Sequence, residues 1–168
     1  GIKADWSFHQ HGPQQQFGNY GLSFICNMSF YSELFTGTTL AFSQEQQRIL
    51  TSLLLEGYQW IIWRGYWDVN ALNRQLFRNA DIDKGFSLLF AAHSLMKSSE
   101  PEVADQIKKM ILRNSSFSQV PNSFTGNKHF RESDYTVHRT PTWLASVRMA
   151  SERVIGTELV NEDNLKGY

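Results

Sequence analysis

Apolar residues recur at helical spacing through the first two thirds of the chain. After a polar opening, one apolar face passes through Leu22, Ile25 and Met28 and ends near Phe35, before the breaker sequence TGTT. Apolar residues three or four apart are typical of an amphipathic α-helix, and a glycine-containing polar stretch is typical of its end. The pattern therefore predicts a helix between the polar opening and TGTT.

A second helix is predicted to follow the loop after TGTT. Ser43 and Gln46 form a capping-box pattern, in which the side chain of each residue satisfies a backbone N–H of the other. Beyond them an apolar stripe continues through Leu50 and Leu54 to Ile61. Its spacing predicts about five helical turns.

Three further helices are predicted in the middle of the chain. The first covers about 69–79 and the second about 84–97. The third opens with Ser99, Pro101 and Glu102. These residues fit a helix start with a capping hydroxyl, a proline in the first turn and a carboxylate that hydrogen-bonds back to the capping residue. Helices in this succession, joined by short breaks, predict helical hairpins.

The character of the sequence changes after Asn114. A turn-rich stretch, NSSFSQVPNSFTGN, carries no helical period. Short segments rich in β-branched and aromatic residues follow and predict strands: SDYTVHRT, WLASVRMAS and VIGTELV. We therefore expect an α+β chain of two parts, residues 1–118 helical and residues 119–168 comprising a linker and the start of a sheet. Neither part has an obvious partner for its second face, so the chain is expected to be a fragment.

Composition narrows the choice of partners. The 168 residues carry 16 basic and 16 acidic side chains, so no overall positive field favours nucleic acid, and no apolar run reaches the about 20 residues of a membrane span. We expect neither nucleic acid nor a membrane as a partner. The single cysteine, Cys26, lies among apolar neighbours and has no histidine context for a nucleophile, which indicates an inert buried thiol.

The polar opening HQHGPQQQFGNY contains candidate chemistry in His11 and Tyr20. A phenol titrates near 10, so a catalytic tyrosine needs a group that stabilises phenolate, and arginine supplies one. The sequence NRQLFR offers Arg74 and Arg78 four apart, on one face if the segment is helical. The alternative is a solvated helix surface. A metal pair of His9 and His11 is disfavoured because no further ligand follows at suitable spacing.

Three tryptophans are concentrated between the second and third predicted helices. Trp60 and Trp63 lie on or near the apolar stripe and are expected in the core. Trp67 follows RGY at a predicted helix end, which makes it the best candidate for stacking on a sugar ring.

Four ordered motifs make the chain resemble the family-eight polysaccharide lyases, and among them the chondroitin AC lyase branch. They are DWSFHQHGPQQQFGNYG, NRQLFR, HRTPTWLASVRMAS and TELVNEDNLKGY. The resemblance implies part of an incomplete α/α toroid followed by the first strands of an antiparallel β-sandwich. It also implies an interior piece of a longer enzyme, so the remainder of the parent would be a partner of this chain.

The resemblance implies cleavage of an acidic polysaccharide, such as chondroitin, hyaluronan or xanthan, by β-elimination. His11 matches a histidine that, with an asparagine upstream of Gly1, engages the uronate carboxylate. Tyr20 matches the tyrosine that removes the C5 proton and also protonates the departing O4. Arg74 matches the arginine that holds this tyrosine, and Arg78 matches a second arginine facing the anionic sugar.

Two further roles are implied near the end of the chain, and one position differs from the family pattern. Glu158 resembles a glutamate that orients the tyrosine and the arginine, and Asn161 a nearby polar contact to substrate. Asn73 stands before Arg74 where relatives often carry glycine.

The wider expectations follow from the resemblance and leave two alternatives. Such lyases are secreted or periplasmic in bacteria and need no cofactor, and a structural calcium ion would lie elsewhere in an intact parent. One alternative is a module that binds an anionic glycan without cleaving it. The other is a hydrolase, which needs a carboxylate pair across the bond, whereas the opening segment offers only Asp5.

Overall fold

The computed structural model describes residues 1–115 and 122–156. The predictions for Glu158, for Asn161 and for the later part of VIGTELV lie outside the described residues.

Four α-helices form the larger part of the described chain. They are α1 (Leu22–Phe35), α2 (Gln44–Ser52), α3 (Ala80–Lys97) and α4 (Pro101–Asn114). Helix α3 packs against both α1 and α4. The predicted helix before TGTT and the predicted helix over 84–97 are confirmed, although α3 begins four residues earlier. No helix in the described part of the chain is long and apolar enough to cross a membrane.

The capping box that begins α2 is confirmed. The Ser43 hydroxyl accepts a hydrogen bond from the Gln46 backbone N–H at 3.3 Å, and the Gln46 side chain accepts one from the Ser43 N–H at 2.9 Å. The apolar stripe beyond α2 changes geometry: a π-helical turn, Leu53–Gly57, leads into a 3₁₀ turn, Tyr58–Trp60. The predicted single helix of five turns is therefore a succession of three helical forms.

The predicted cap of the last helix is wrong in detail. Helix α4 begins at Pro101 with Glu100 at the N-cap position and no side-chain cap. The Ser99 hydroxyl instead donates to the Leu95 carbonyl oxygen at 2.7 Å, at the end of the preceding helix. Proline at the first helical position has the backbone φ that a helix start requires, so the helix begins there without a capping hydroxyl.

A two-stranded hairpin, which the sequence analysis missed, follows the 3₁₀ turn. Strands β1 (Ile62–Trp63) and β2 (Tyr66–Trp67) pair antiparallel across Arg64 and Gly65. Both turn residues have positive φ, 50° and 85°, as a two-residue type I′ hairpin turn requires.

The helix predicted over about 69–79 is absent. A 3₁₀ turn, Val69–Ala71, opens with an Asp68 carboxylate that accepts from the Asn70 N–H at 3.1 Å, and an irregular loop follows. Asn73 and Asn79 have φ of 60° and 64°, in the left-handed region that interrupts a right-handed helix. Arg74 and Arg78 therefore do not share a helix face.

Three antiparallel strands form the second part of the described chain. They are β3 (Gly126–Phe130), β4 (Tyr135–Arg139) and β5 (Leu144–Arg148), in the order β3-β4-β5. Strands β4 and β5 confirm two predicted strands, and β3 was missed because its sequence GNKHF is poor in β-branched residues. The described start of VIGTELV, residues 154–156, is irregular rather than strand.

The helices and the sheet share one hydrophobic core. The Phe17 ring lies 5.2 Å from the Tyr58 ring and 5.4 Å from the Phe130 ring, both edge-on, so an opening-segment residue joins the helical stripe to β3. Arg139 of β4 is buried, and its Nη1 donates to the carbonyl oxygens of Gln59 at 2.7 Å and Ile62 at 2.8 Å. These contacts hold the sheet against the segment that leads into the β1–β2 hairpin.

Candidate active site

His11 lies on a tight turn at the start of the chain. It has a φ of 59°, and Gly12 and Pro13 follow it, with Gly12 at a φ of 87°. The turn is closed where the Gln14 N–H donates to the Gly12 carbonyl oxygen at 2.8 Å, and an isolated bridge pairs the segments on either side of it. The sequence HGP therefore presents the His11 side chain on the surface.

Tyr20 lies on a π-helical turn, Phe17–Gly21, that runs into α1. Four residues of this turn are buried, whereas Tyr20 is only half-buried. Isolated π-helical turns are frequent at functional sites because the extra residue per turn changes the direction of a side chain. The buried residues of this turn therefore hold the Tyr20 side chain in position.

Three predicted residues meet at the Tyr20 phenol. The rings of His11 and Tyr20 lie 4.9 Å apart between centroids, inclined at 62°. The Arg74 guanidinium donates from Nη2 to the Tyr20 phenol oxygen at 3.3 Å, and its Cζ lies 5.8 Å from the centroid of the tyrosine ring. An imidazole and a guanidinium beside one phenol are the groups that acid–base chemistry on an anionic substrate needs.

The loop that carries Arg74 is held by Asn73. The Asn73 side-chain amide donates to the carbonyl oxygen of Gln15, which lies between His11 and Tyr20 in sequence. Its φ of 60° lies in the left-handed region, which asparagine tolerates better than most residues.

Arg148, at the end of β5, connects the sheet to this loop. Its Nη1 donates to the Asn73 side-chain oxygen at 3.3 Å, and its Nη2 donates to the Gly156 carbonyl oxygen. Burial lowers the pKa of the Arg148 guanidinium. The sequence analysis missed this residue, and its only signal was a charged residue within the apolar pattern of WLASVRMAS.

The segment that precedes Glu158 contacts the turn that carries His11. The Ile155 N–H donates to the Pro13 carbonyl oxygen at 3.0 Å. Glu158 and Asn161 themselves lie outside the described residues, so their roles stay predictions.

The other two predicted substrate contacts have different outcomes. Arg78 is exposed on the turn that precedes α3, and its role stays a prediction. Trp67 is 2% exposed, and its ring lies 5.7 Å from the Tyr58 ring in the core. The prediction that Trp67 stacks on a sugar is wrong, because the β1–β2 hairpin turns this side chain inward.

His9 has a structural role. It is buried, and its Nε2 lies 2.9 Å from the Ser133 hydroxyl oxygen in the turn between β3 and β4. Burial, with a smaller contribution from Lys3, lowers the pKa of His9 to about 4. Among residues 1–115 and 122–156, no cluster of three or more His, Cys, Asp or Glu side chains is arranged to hold a metal ion.

The Cys26 thiol is half-buried on α1, with its sulfur 3.7 Å from the Ser87 carbonyl oxygen. Burial raises the pKa of this thiol to about 11, which disfavours the thiolate that a nucleophile requires.

Comparison with known proteins shows similarity along nearly the whole chain. Chondroitinase-AC of Pedobacter heparinus is 30% identical over 170 residues, which cover 99% of this chain and 24% of that protein. A hyaluronate lyase of Thermasporomyces composti is 25% identical over 199 residues, which cover all of this chain and 25% of that protein. A solved xanthan lyase of Paenibacillus has the same fold over 96% of this chain and 18% of its own, with a TM-score of 0.81 at 15% identity.

The chain spans about a quarter of the length of the curated relatives it matches. Its helical part and its strands therefore correspond to part of an incomplete toroid and the start of a sandwich domain. Two family models match in order: the N-terminal alpha-helical domain of polysaccharide lyase family 8 over residues 1–113, and the super-sandwich domain of the same family over residues 125–168. With matches to both domains in sequence order, the chain belongs to polysaccharide lyase family 8.

Proposed function

We propose that this chain forms part of the active site of a lyase that cleaves a uronic-acid-containing polysaccharide by β-elimination. One observation carries the proposal: the Arg74 guanidinium donates to the Tyr20 phenol oxygen, and the His11 ring lies against the same tyrosine. The three residues come from segments up to 63 positions apart in a chain of a polysaccharide lyase family.

Tyr20 acts as the general base and acid in this proposal. Its phenolate removes the proton from C5 of the uronic acid, because the adjacent carboxylate, once neutralised, makes that proton acidic. Arg74 stabilises the phenolate through the hydrogen bond to its oxygen and through its positive charge.

Elimination then completes with no oxidant or reductant. The electron pair left by the C5 proton forms the C4–C5 double bond, and the bond from C4 to the glycosidic O4 breaks. The Tyr20 hydroxyl, which now carries the C5 proton, donates a proton to the departing O4. The products are a new chain end with a hydroxyl group and a new end with an unsaturated uronic acid, and Tyr20 returns to its starting state.

His11 is the group placed to engage the substrate carboxylate. Its ring is exposed and contacts Tyr20, so a sugar acid above the phenol would also lie beside the imidazole. Arg78 is proposed as a further contact to the anionic chain because it is an exposed cation in the same loop as Arg74. Glu158 is proposed as the carboxylate that orients the tyrosine and arginine, and Asn161 as a polar substrate contact.

The substrates proposed first are chondroitin and hyaluronan. This choice is supported by the similarity of the chain to a chondroitinase-AC and to a hyaluronate lyase. A bacterial enzyme acting on such large extracellular polymers would be secreted or periplasmic, and we propose that location. Elimination by these side chains needs no cofactor.

The proposal is tested with the complete protein to which this chain belongs. Incubation with chondroitin or hyaluronan should raise the ultraviolet absorbance of the conjugated double bond in the product. Tyr20→Phe should abolish this signal while the glycan still binds, because it removes only the proton-transferring oxygen. Tyr31→Phe is the matched control. Tyr31 lies within α1, and its hydroxyl donates to the Leu40 carbonyl oxygen at 3.0 Å, remote from the site.

Three outcomes would contradict the proposal. Full turnover by Tyr20→Phe would exclude the tyrosine as the base. Binding of chondroitin and hyaluronan by the wild-type protein with no change in absorbance would instead favour a glycan-binding module, and cleavage without absorbance would favour a hydrolase.

A further inference from the structure

A buried lysine lies behind the candidate site. Lys84 is near the start of α3 and is 6% exposed. Its ammonium donates to the carbonyl oxygen of Gly18 and, at 2.5 Å, to the side-chain oxygen of Gln75. Gly18 lies two residues before Tyr20 on the same π-helical turn, and Gln75 directly follows Arg74.

The two segments that Lys84 joins are also packed closely together. A Cβ atom added to Gly18 would lie 2.7 Å from the Ala71 carbonyl oxygen and 2.9 Å from the Leu72 Cα, distances that real side chains do not adopt. The Tyr20 turn and the Arg74 loop are therefore in backbone contact. Lys84 reaches both from the same side, so α3 provides a fixed support for the phenol and the guanidinium together.

The burial of Lys84 is unfavourable by itself. Both of its hydrogen-bond partners are neutral oxygens, and among the described residues it forms no ion pair with a carboxylate. Burial lowers the pKa of this ammonium to about 8. A buried charge without an opposite charge lowers the free energy of unfolding, and two hydrogen bonds to neutral oxygens offset only part of that cost. Stability alone therefore does not explain a lysine here.

We propose that Lys84 is a positioning residue of the lyase site, whose ammonium holds the Tyr20 turn and the Arg74 loop at the separation that proton transfer requires. This inference rests on the proposed function. Lys84 touches neither substrate nor the reacting atoms. It acts through Gly18 on the tyrosine and through Gln75 on the arginine.

A role in positioning has a kinetic signature that a structural role lacks. A small displacement of the base from the proton it removes lowers the rate of the chemical step steeply, whereas substrate binding by exposed groups changes little. Loss of Lys84 should therefore lower kcat while KM stays nearly constant. The melting temperature should change little, because the removed desolvation cost of the ammonium and the two lost hydrogen bonds oppose each other.

The test compares four variants of the complete protein with the wild type in the ultraviolet elimination assay. Lys84→Met should lower kcat by about tenfold or more, with KM within about twofold and a melting temperature close to the wild-type value. Lys84→Arg, which keeps the cation, should recover part of the lost kcat. Gln75→Leu removes one of the two hydrogen bonds from a half-buried position and should lower kcat less than Lys84→Met.

Lys97→Met is the matched control. Lys97 is on the last turn of the same helix, half-exposed and paired with Glu33 at 2.6 Å, and its loss should leave kcat at the wild-type value. A wild-type kcat in Lys84→Met would overturn the positioning role. If Lys84→Met did not fold, a wild-type kcat in Gln75→Leu would overturn it instead. A wild-type protein with no elimination activity would contradict the proposed function itself, which is a separate result.

Discussion

Two buried cations serve two different regions of this molecule. Arg139 lies where the sheet meets the helical part, and one of its nitrogens donates to three carbonyl oxygens: those of Gln59, Trp60 and Ile62. Its guanidinium also lies 5.2 Å from the Trp63 ring and 4.9 Å from the Phe124 ring. Lys84 lies behind the candidate site and has two neutral oxygen partners.

The difference shows how a buried charge can be assigned to stability or to function. The hydrogen bonds of Arg139 join β4 to the 3₁₀ turn and to β1, and the arginine has no contact role in the proposed chemistry. Lys84 contacts the two segments that carry Tyr20 and Arg74. Removal of Arg139 should therefore affect stability first, and removal of Lys84 should affect turnover first.

The largest effect on stability is expected for Arg139→Met. Methionine fills the volume but leaves three carbonyl oxygens without their donor, two of them in buried hydrogen bonds, which should lower the free energy of unfolding by about 3 kcal/mol. Chemical denaturation of the complete protein, followed by tryptophan fluorescence, measures this loss. Arg64→Met is the control, because Arg64 also lies over the Trp63 ring, at 5.8 Å, but is exposed. An equal and small loss in both variants would contradict the role given to Arg139.

Gly18→Ala should damage both stability and turnover. The added Cβ would collide with the backbone at Ala71 and Leu72, so the Tyr20 turn must move away from the Arg74 loop. We expect a loss of about 2 kcal/mol in the free energy of unfolding and a fall in kcat of about tenfold or more. Gly156→Ala, where an added Cβ has open space, is the control for thermal unfolding. Wild-type kcat in Gly18→Ala would show that the contact does not set the position of Tyr20.

Buried His9 should make stability depend on pH. Its pKa is about 4 in the folded protein against an ordinary value of 6.5, so the unfolded chain binds more protons between these values. The contribution of neutral His9 to the free energy of unfolding should therefore be fully present above about pH 6.5. The free energy of unfolding should fall, by on the order of 2 kcal/mol, as the pH drops towards 4.

Denaturation curves of the complete protein across this pH range test the prediction. His9→Gln should remove part of the slope, and His93→Gln, on the exposed face of α3, should leave it unchanged. The same slope in wild type and His9→Gln would contradict the assignment.

The smallest effect on stability is expected at Asn73, where alanine and glycine variants separate the contribution of the backbone conformation from that of the side chain. The backbone φ of 60° at this position is unfavourable for alanine but not for glycine. Asn73→Ala should therefore be less stable than Asn73→Gly by about 1 kcal/mol. Both variants lose the hydrogen bonds to Gln15 and Arg148, so both should lower kcat.

Asn79 provides the matched pair of controls for this comparison. It is exposed, has a φ of 64° and makes no side-chain cap bond, so its alanine and glycine variants should differ in stability by a similar amount. Thermal unfolding and the elimination assay measure the two effects. If Asn73→Gly kept the wild-type kcat, the side chain would have no part in holding the Arg74 loop.

Local signals in the sequence identified several elements correctly. The Ser43–Gln46 capping box is made by residues three apart, so its pattern and its hydrogen bonds are both local. The β-branched and aromatic content of β4 and β5 likewise marks them as strands. The β3 strand lacked such a signal, because it pairs with β4 through backbone hydrogen bonds that any residue can make.

The candidate site was predictable only in part. Tyr20 and Arg74 are 54 residues apart, and no periodicity or spacing indicates that they meet. Their pairing was expected from the resemblance of the motifs to a lyase family. The same reasoning failed for Trp67, since the direction of its side chain depends on a hairpin turn that the sequence analysis missed.

The sequence by itself determined the start of α2 at its capping box, two strands, and the family to which the chain belongs. These depend on interactions between near neighbours or on ordered motifs. The tertiary structure alone decided that Trp67 is buried, that Arg139 holds the sheet to the helical part and that Lys84 supports both Tyr20 and Arg74. Each of these depends on desolvation and on contacts between distant segments, and neither quantity exists until the chain has folded.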